Sequence, residues 1–90
     1  MIALSKSIAI QFADDGIRSN VILPGGTDSP MQARWQAHPE WREATAAQVP
    51  LGRVGSTQDM ADACLFLLSD KAGYITGTEL IVDGGVTALP

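Results

Sequence analysis

Apolar residues recur every four positions at Leu4, Ile8 and Phe12, with Ala9 and Ala13 beside them, while Ser5, Lys6 and Gln11 lie off that line. This spacing predicts an amphipathic helix over 2–14. Gly16 is placed to end it, because glycine tolerates the left-handed conformation of a helix C-terminus. No helix-starting signal precedes Ile2, so the pattern opens inside an element, and further sequence before Met1 is expected. Over 17–23 the pattern changes to alternation at Ile17, Ser19, Val21 and Leu23, then to an uninterrupted apolar run. That predicts a short strand buried towards its C-terminal end, closed by Pro24, which lacks a donor for a ladder.

From Pro30 to Gln48 the periodicity is loosely helical and breaks at His38-Pro39, where the residue before proline is driven out of helical geometry. Two short helices are expected there. Val49 to Ser56 reads as a connector. Ser56 and Asp59 then have the spacing of a capping box, with aspartate in place of glutamate. The helix that follows, about 57–69, carries Met60, Ala61, Cys64, Leu65, Leu67 and Leu68 on a broad apolar face, with Cys64 expected in the core. A turn-rich link leads to a last strand over 78–82, closed by Gly84 and Gly85. Helix, strand, helices, helix, strand is half of an alternating α/β pattern.

Ninety residues make one domain at most, with a thin stability margin. Apolar residues make up 46% and charged residues 18% of the chain, which fits a packed fold and argues against disorder. Net charge is −4 with the six basic residues scattered, so nucleic acid is not an expected partner. No apolar run is long enough to span a bilayer, and Lys6, Gln11 and Asp14 spoil a secretory signal. A soluble, cytoplasmic chain is expected, with no membrane partner. The single cysteine, Cys64, excludes an internal disulfide and a multi-cysteine metal site.

Three stretches, GIRSNVILPG (16–25), PLGRVGSTQDMADACLFLLSD (50–70) and YITGTELIVDGG (74–85), occur in an order and spacing that resemble the C-terminal part of the short-chain dehydrogenases/reductases. The resemblance covers nearly the whole chain and is weakest over 32–48, the variable substrate-binding segment of that family. It implies the C-terminal part of a Rossmann-type, doubly wound parallel sheet, with residues 1–90 forming a piece of an NAD(P)-binding domain. It also implies hydride transfer between NAD or NADP and an alcohol or ketone, and a homo-oligomer.

Members of the family carry an upstream glycine-rich turn and a Tyr-x-x-x-Lys pair assisted by serine. The tyrosine is the general acid/base, and the lysine charge lowers its pKa. Neither motif occurs in these residues: Tyr74, the only tyrosine, is followed at the fourth position by Thr78. Lys6 superficially matches the catalytic lysine, but the apolar register places it further along the helix, on a solvated face. No catalytic residue is therefore assigned.

The resemblance makes Pro24, Gly25, Thr27 and Ser29 part of the loop that wraps the nicotinamide. Gly25 would let backbone approach the ligand, and Ser29 would offer its hydroxyl to the carboxamide or phosphate. Without the resemblance, the same residues read as a strand-to-helix turn with Pro30 starting the helix. Residues 31–48 would be a substrate lid, in which Met31, Trp35 and Trp41 either cover a substrate or pack the lid onto the body. His38 is expected in solvent. Arg53 is expected in a structural ion pair or on backbone. Gly77, Asp83, Gly84 and Gly85 resemble the family's final-strand signature, which implies that they shape the C-terminal edge used in dimer and tetramer contacts.

The isolated chain is expected to be inactive and to self-associate through an unpaired edge and an apolar face. The alternatives are a truncated non-catalytic remnant or an oligomerisation module and, on a different α/β scaffold, a sugar-nucleotide epimerase.

Overall fold

The computed structural model describes residues 1–28 and 33–90. Four α-helices and four short strands follow one another along the described residues: α1 (Ile2–Gln11), β1 (Val21–Pro24), β2 (Thr27–Asp28), α2 (Ala33–Ala37), α3 (Pro39–Gln48), β3 (Gly55–Ser56), α4 (Thr57–Leu68) and β4 (Glu79–Val82). β1 and β4 pair in parallel, with Val21 opposite Glu79 and Pro24 opposite Val82. β2 and β3 form a second, two-residue parallel pair, Thr27 opposite Gly55 and Asp28 opposite Ser56. Parallel strands linked through helices give the expected α/β class.

α1 stops at Gln11, and a single 3₁₀ turn (Ala13–Asp15) carries the chain to Gly16. Gly16 has φ 75° and donates to the Ala13 carbonyl, the left-handed termination expected of it. Which face of α1 turns inward differs from expectation. Ser5 and Ala9 are buried, whereas Leu4 is 63% exposed and Phe12 also lies outside the core. The small residues face the body because the chain there is close: Ser5 Oγ and Ser19 Oγ share a hydrogen bond of 2.8 Å. Lys6 is not merely solvated. It donates to the Gly77 carbonyl at 3.2 Å and pairs with Glu79 at 3.4 Å, tying α1 to the start of β4.

The first strand begins four residues later than its alternation predicts, because 17–20 is held outside a ladder: Ile17 N–H donates to the Phe12 carbonyl, the Ser19 carbonyl accepts from Gly77 N–H, and side chains make the other bonds. Ser19 N–H donates to Thr76 Oγ1, and Asn20 clamps the opposite loop by donating to the Ile75 carbonyl and accepting from Thr78 N–H. Arg18 donates to the carbonyls of Leu67, Ser69 and Ile75, so one guanidinium ends α4 and anchors the link to β4. Pro24 ends β1 from inside the strand. Val21 and Gly25 donate to β4, so by alternation the missing donor of Pro24 falls on the other side.

The break at His38-Pro39 is borne out, with Pro39 in the first turn of α3, where its missing N–H costs no hydrogen bond. So is the capping box of α4: Ser56 Oγ accepts from Asp59 N–H at 3.0 Å, and Asp59 Oδ2 accepts from Ser56 N–H at 2.8 Å. The broad apolar face of α4 is only partly covered. Leu67 is buried, but Leu65 and Leu68 are 63% and 79% exposed, and Cys64 is exposed rather than in the core. A two-stranded sheet is too narrow to cover that face. The buried apolar set is correspondingly small: Ala9, Val21, Val49, Val54, Leu67 and Ala72.

Candidate functional site

The loop after β1 sits at the carboxyl ends of β1 and β4, the place where open parallel sheets bind ligands. Pro24 is exposed there and Gly25 half-buried. Gly25 N–H donates to the Val82 carbonyl at 3.0 Å, continuing the ladder, and Thr27 Oγ1 donates to the Gly25 carbonyl at 3.0 Å. Gly26 accepts from Gly55 N–H at 2.9 Å, which leads into the β2–β3 pair. This second pair gives the loop a rigid floor and was not legible in the sequence, since two-residue strands leave no periodicity.

Glycine at position 25 also has a reason within the fold itself. A Cβ there would lie 2.7 Å from Asp83 Cβ and 2.9 Å from Asp83 Cα. One close approach that this glycine permits is therefore chain against chain, between the ends of β1 and β4. At Gly26 a Cβ would meet Thr45 Cγ2 at 3.1 Å and the Trp35 ring at 3.8 Å, so α2 and α3 close over the loop.

Ionised groups around the loop are already engaged. Arg42 of α3 pairs with Asp28 of β2 at 2.9 Å, latching the helix to the loop. Asp83 accepts from Gly85 N–H and Thr87 N–H, each at 2.9 Å, and these amides, Thr87 first, hold its carboxyl below the usual range. Asp59 is held well below the usual range, chiefly by its hydrogen bond from Arg53 and then by those from Ser56. Arg53 binds both Asp59 oxygens, at 2.7 and 3.3 Å, and also donates to the Val54 carbonyl, the structural role expected of it. Among the described residues, no cluster of His, Cys, Asp and Glu could hold a metal ion.

Two cavities flank the loop. One of about 220 Å³ is lined by Gly26, Gly55, Met60 and Gly84 among others. The other, about 310 Å³, lies between Pro24-Gly25-Gly26 and the Thr45 and Gln48 side of α3. The second is large enough for one heteroaromatic ring and its substituent, at the low end of ligand sites. Of the residues singled out from sequence, Pro24, Gly25 and Thr27 come together, with Trp35 near them through Gly26. Trp41 instead stacks on His38, ring centroids 4.0 Å apart, and both are exposed. Ser29 and Met31 lie outside the described residues. Arg42, Thr45 and Gln48 had no sequence signal, because nothing in the helical pattern says which side of α3 meets the loop.

The arrangement has the relatives its geometry suggests. A family model described as Enoyl-(Acyl carrier protein) reductase matches residues 1–87. The 3beta-hydroxysteroid dehydrogenase 1 of Eggerthella lenta is 48% identical over 87 residues, which are 97% of this chain and 33% of that protein. The chain spans about a third of the length of the curated relatives it matches. A solved oxidoreductase of the short-chain dehydrogenase/reductase family from Burkholderia thailandensis superposes with a TM-score of 0.90 at 42% identity, over 98% of this chain and 35% of the other. A 4-hydroxyisoleucine dehydrogenase complexed with NADH gives a TM-score of 0.88 at 30% identity, over 99% and 37%. Parallel strands, the loop at their carboxyl ends and these matches agree: the chain belongs to the short-chain dehydrogenase/reductase family and carries a portion of its Rossmann-like fold.

Proposed function

We infer that this chain is the C-terminal part of an NAD- or NADP-dependent oxidoreductase acting on a small alcohol or ketone, and that it holds one wall of the nicotinamide site. The observation that carries the reading is the Pro24–Thr27 loop. It stands at the carboxyl ends of two parallel strands beside a ring-sized cavity, in a fold shared with a dehydrogenase solved with NADH. When bound, the nicotinamide supplies or accepts the hydride. The chain's own part is orientation. The backbone around Thr27 and the hydroxyl of Ser29 meet the carboxamide, and segment 31–48, with Met31, Trp35 and Trp41, closes over the substrate. The Asp28–Arg42 pair keeps α3 against the loop during that closure.

Proton transfer is not assigned to these residues, since Asp28, Asp59 and Asp83 are each committed to an ion pair or to amides. The purified 90-residue chain is accordingly expected to show no NAD(P)H-dependent turnover, and measurable reductase activity from it would overturn that part. The cofactor reading is tested in a chimera in which this chain replaces the matched third of the Burkholderia thailandensis oxidoreductase. NAD(P)H oxidation is expected, with Ser29→Ala raising the KM for the cofactor more than it lowers kcat. An unchanged cofactor KM would remove Ser29 from the wall.

A second reading, a non-catalytic association module, is favoured by the exposed Leu4, Leu65 and Leu68. It predicts a chimera without turnover and a chain that forms stable homo-oligomers.

A further inference from the structure

The smaller of the two cavities beside the loop, about 220 Å³, has no part in the reading above. Five segments wall it: Gly26 of the loop, Val49 after α3, Gly55 of β3, Met60 of α4 and Val82 at the end of β4. Val49 is buried and marks its inner end. Leu51, 74% exposed, and Arg53, exposed as well, stand at its mouth.

The polar groups of this wall are already satisfied. Asp59 accepts from Arg53 and from Ser56 N–H, and Asp83 accepts from Gly85 N–H and Thr87 N–H. The Gly26 carbonyl is taken by Gly55 N–H at 2.9 Å. Among the described residues, no buried side-chain nitrogen or oxygen lacks a hydrogen-bond partner. A water molecule needs two to four polar partners to stay in such a space, so this one repels water. An empty cavity also forfeits dispersion contacts along its wall, which a fitted occupant restores. An apolar cavity of about 150 Å³ takes up benzene, so one of about 220 Å³ has room for a single ring with a short substituent. Met60 suits the entry of such a guest, since its unbranched thioether chain readily changes shape.

We propose that this cavity is a second ligand site, which takes a small uncharged molecule of one ring, and that its occupant props up the loop after β1. A guest there bears on both Gly26 and Gly55, the two residues whose hydrogen bond leads into the β2–β3 pair. Gly26, Val49 and Asp83 also line the larger cavity, so the two spaces share a wall and filling one stiffens a side of the other. A charged guest is disfavoured, because Arg53 and Asp59 neutralise each other and neither is left for it.

The test titrates toluene into the 90-residue chain carrying labelled methionine methyls. The Met60 methyl should shift and saturate, while that of Met1, 93% exposed, stays in place. With toluene at about four times its Kd, exchange of the Gly55 amide should slow by roughly 5-fold. Benzoate should bind at least roughly 10-fold more weakly than toluene, since its charge must leave water. Gly55→Ala puts a carbon 3.0 Å from Met60 Cε and should weaken toluene by roughly 10-fold. Met60→Ala makes room instead, so naphthalene, read at the Gly55 amide, should bind roughly 10-fold tighter than to the parent. Equal shifts at Met1 and Met60 would mean coating of the apolar exterior and would overturn the site. So would benzoate binding as tightly as toluene, or indifference to whichever of the two variants folds. Saturation at Met60 with unchanged Gly55 exchange would overturn the support given to the loop.

Discussion

Replacing Gly25 with alanine asks whether this glycine serves the fold or only a ligand. The added Cβ would stand 2.7 Å from Asp83 Cβ and 2.9 Å from Asp83 Cα, against an ordinary carbon–carbon separation of about 3.5–4.0 Å. Asp83 Cα is backbone, so relief requires the ends of β1 and β4 to part by about 1 Å. The bond that holds them there, Gly25 N–H to the Val82 carbonyl at 3.0 Å, is the first to be lost. Overpacking of this kind costs about 1–3 kcal/mol and the ladder bond about 1 kcal/mol more, so a loss near 3 kcal/mol is expected. In urea followed by far-UV circular dichroism, with a slope of roughly 1 kcal/mol per molar, the midpoint should drop by about 3 M or the transition should vanish. Gly16→Ala is the control: its φ of 75° makes a side chain unfavourable, but no atom lies within 4 Å. It should cost only about 1–2 kcal/mol. If Gly25→Ala unfolds at the parent's midpoint, the strand-to-strand contact is not what requires glycine, and the ligand-approach reading returns.

Ser56→Ala removes the acceptor for Asp59 N–H and should lower stability by about 1 kcal/mol, read as a reduced urea midpoint with little change in slope. Arg18→Met leaves the carbonyls of Leu67, Ser69 and Ile75 without their donor. A loss of about 2 kcal/mol is expected, together with faster amide exchange across 69–78; exchange that stays slow there would refute the anchoring role. Asp59 and Asp83 both have carboxyls below the unfolded value, so their contribution is full above about pH 4 and is lost as pH falls further. The urea midpoint should therefore fall from pH 5 to pH 3, and Asp59→Asn should flatten part of that slope. A parent midpoint independent of pH over this range would contradict the hydrogen-bonding assigned to the two groups. The free chain should self-associate as its concentration rises, and a sharply cooperative melt from a species that sedimentation shows to be monomeric would count against the exposed face being adhesive.

Local chemistry in the sequence was enough for several features, each resting on residues that interact with near neighbours. Ser56 and Asp59 lie three apart and cap α4 by themselves; Pro39 splits α2 from α3; Gly16 ends the first helical segment by its own conformational freedom. The ordered stretches 16–25, 50–70 and 74–85 were also sufficient for the family, because each carries backbone-shaping glycines at set spacings and the first two carry a proline as well. Tertiary structure decided what periodicity cannot express, namely which surface meets which. Ser5 and Ala9 turn inward on α1 while Leu4 stays out, Cys64 is exposed on an apolar helix face, and Asp83 fills the space left by Gly25. An apolar stripe reports only that surface leaves water, and among the described residues Leu4, Leu65 and Leu68 of these helices stay exposed. The start of β1 shows the same limit, since Arg18 and Asn20 claim carbonyls and amides some fifty residues away and so displace a strand that alternation placed from Ile17.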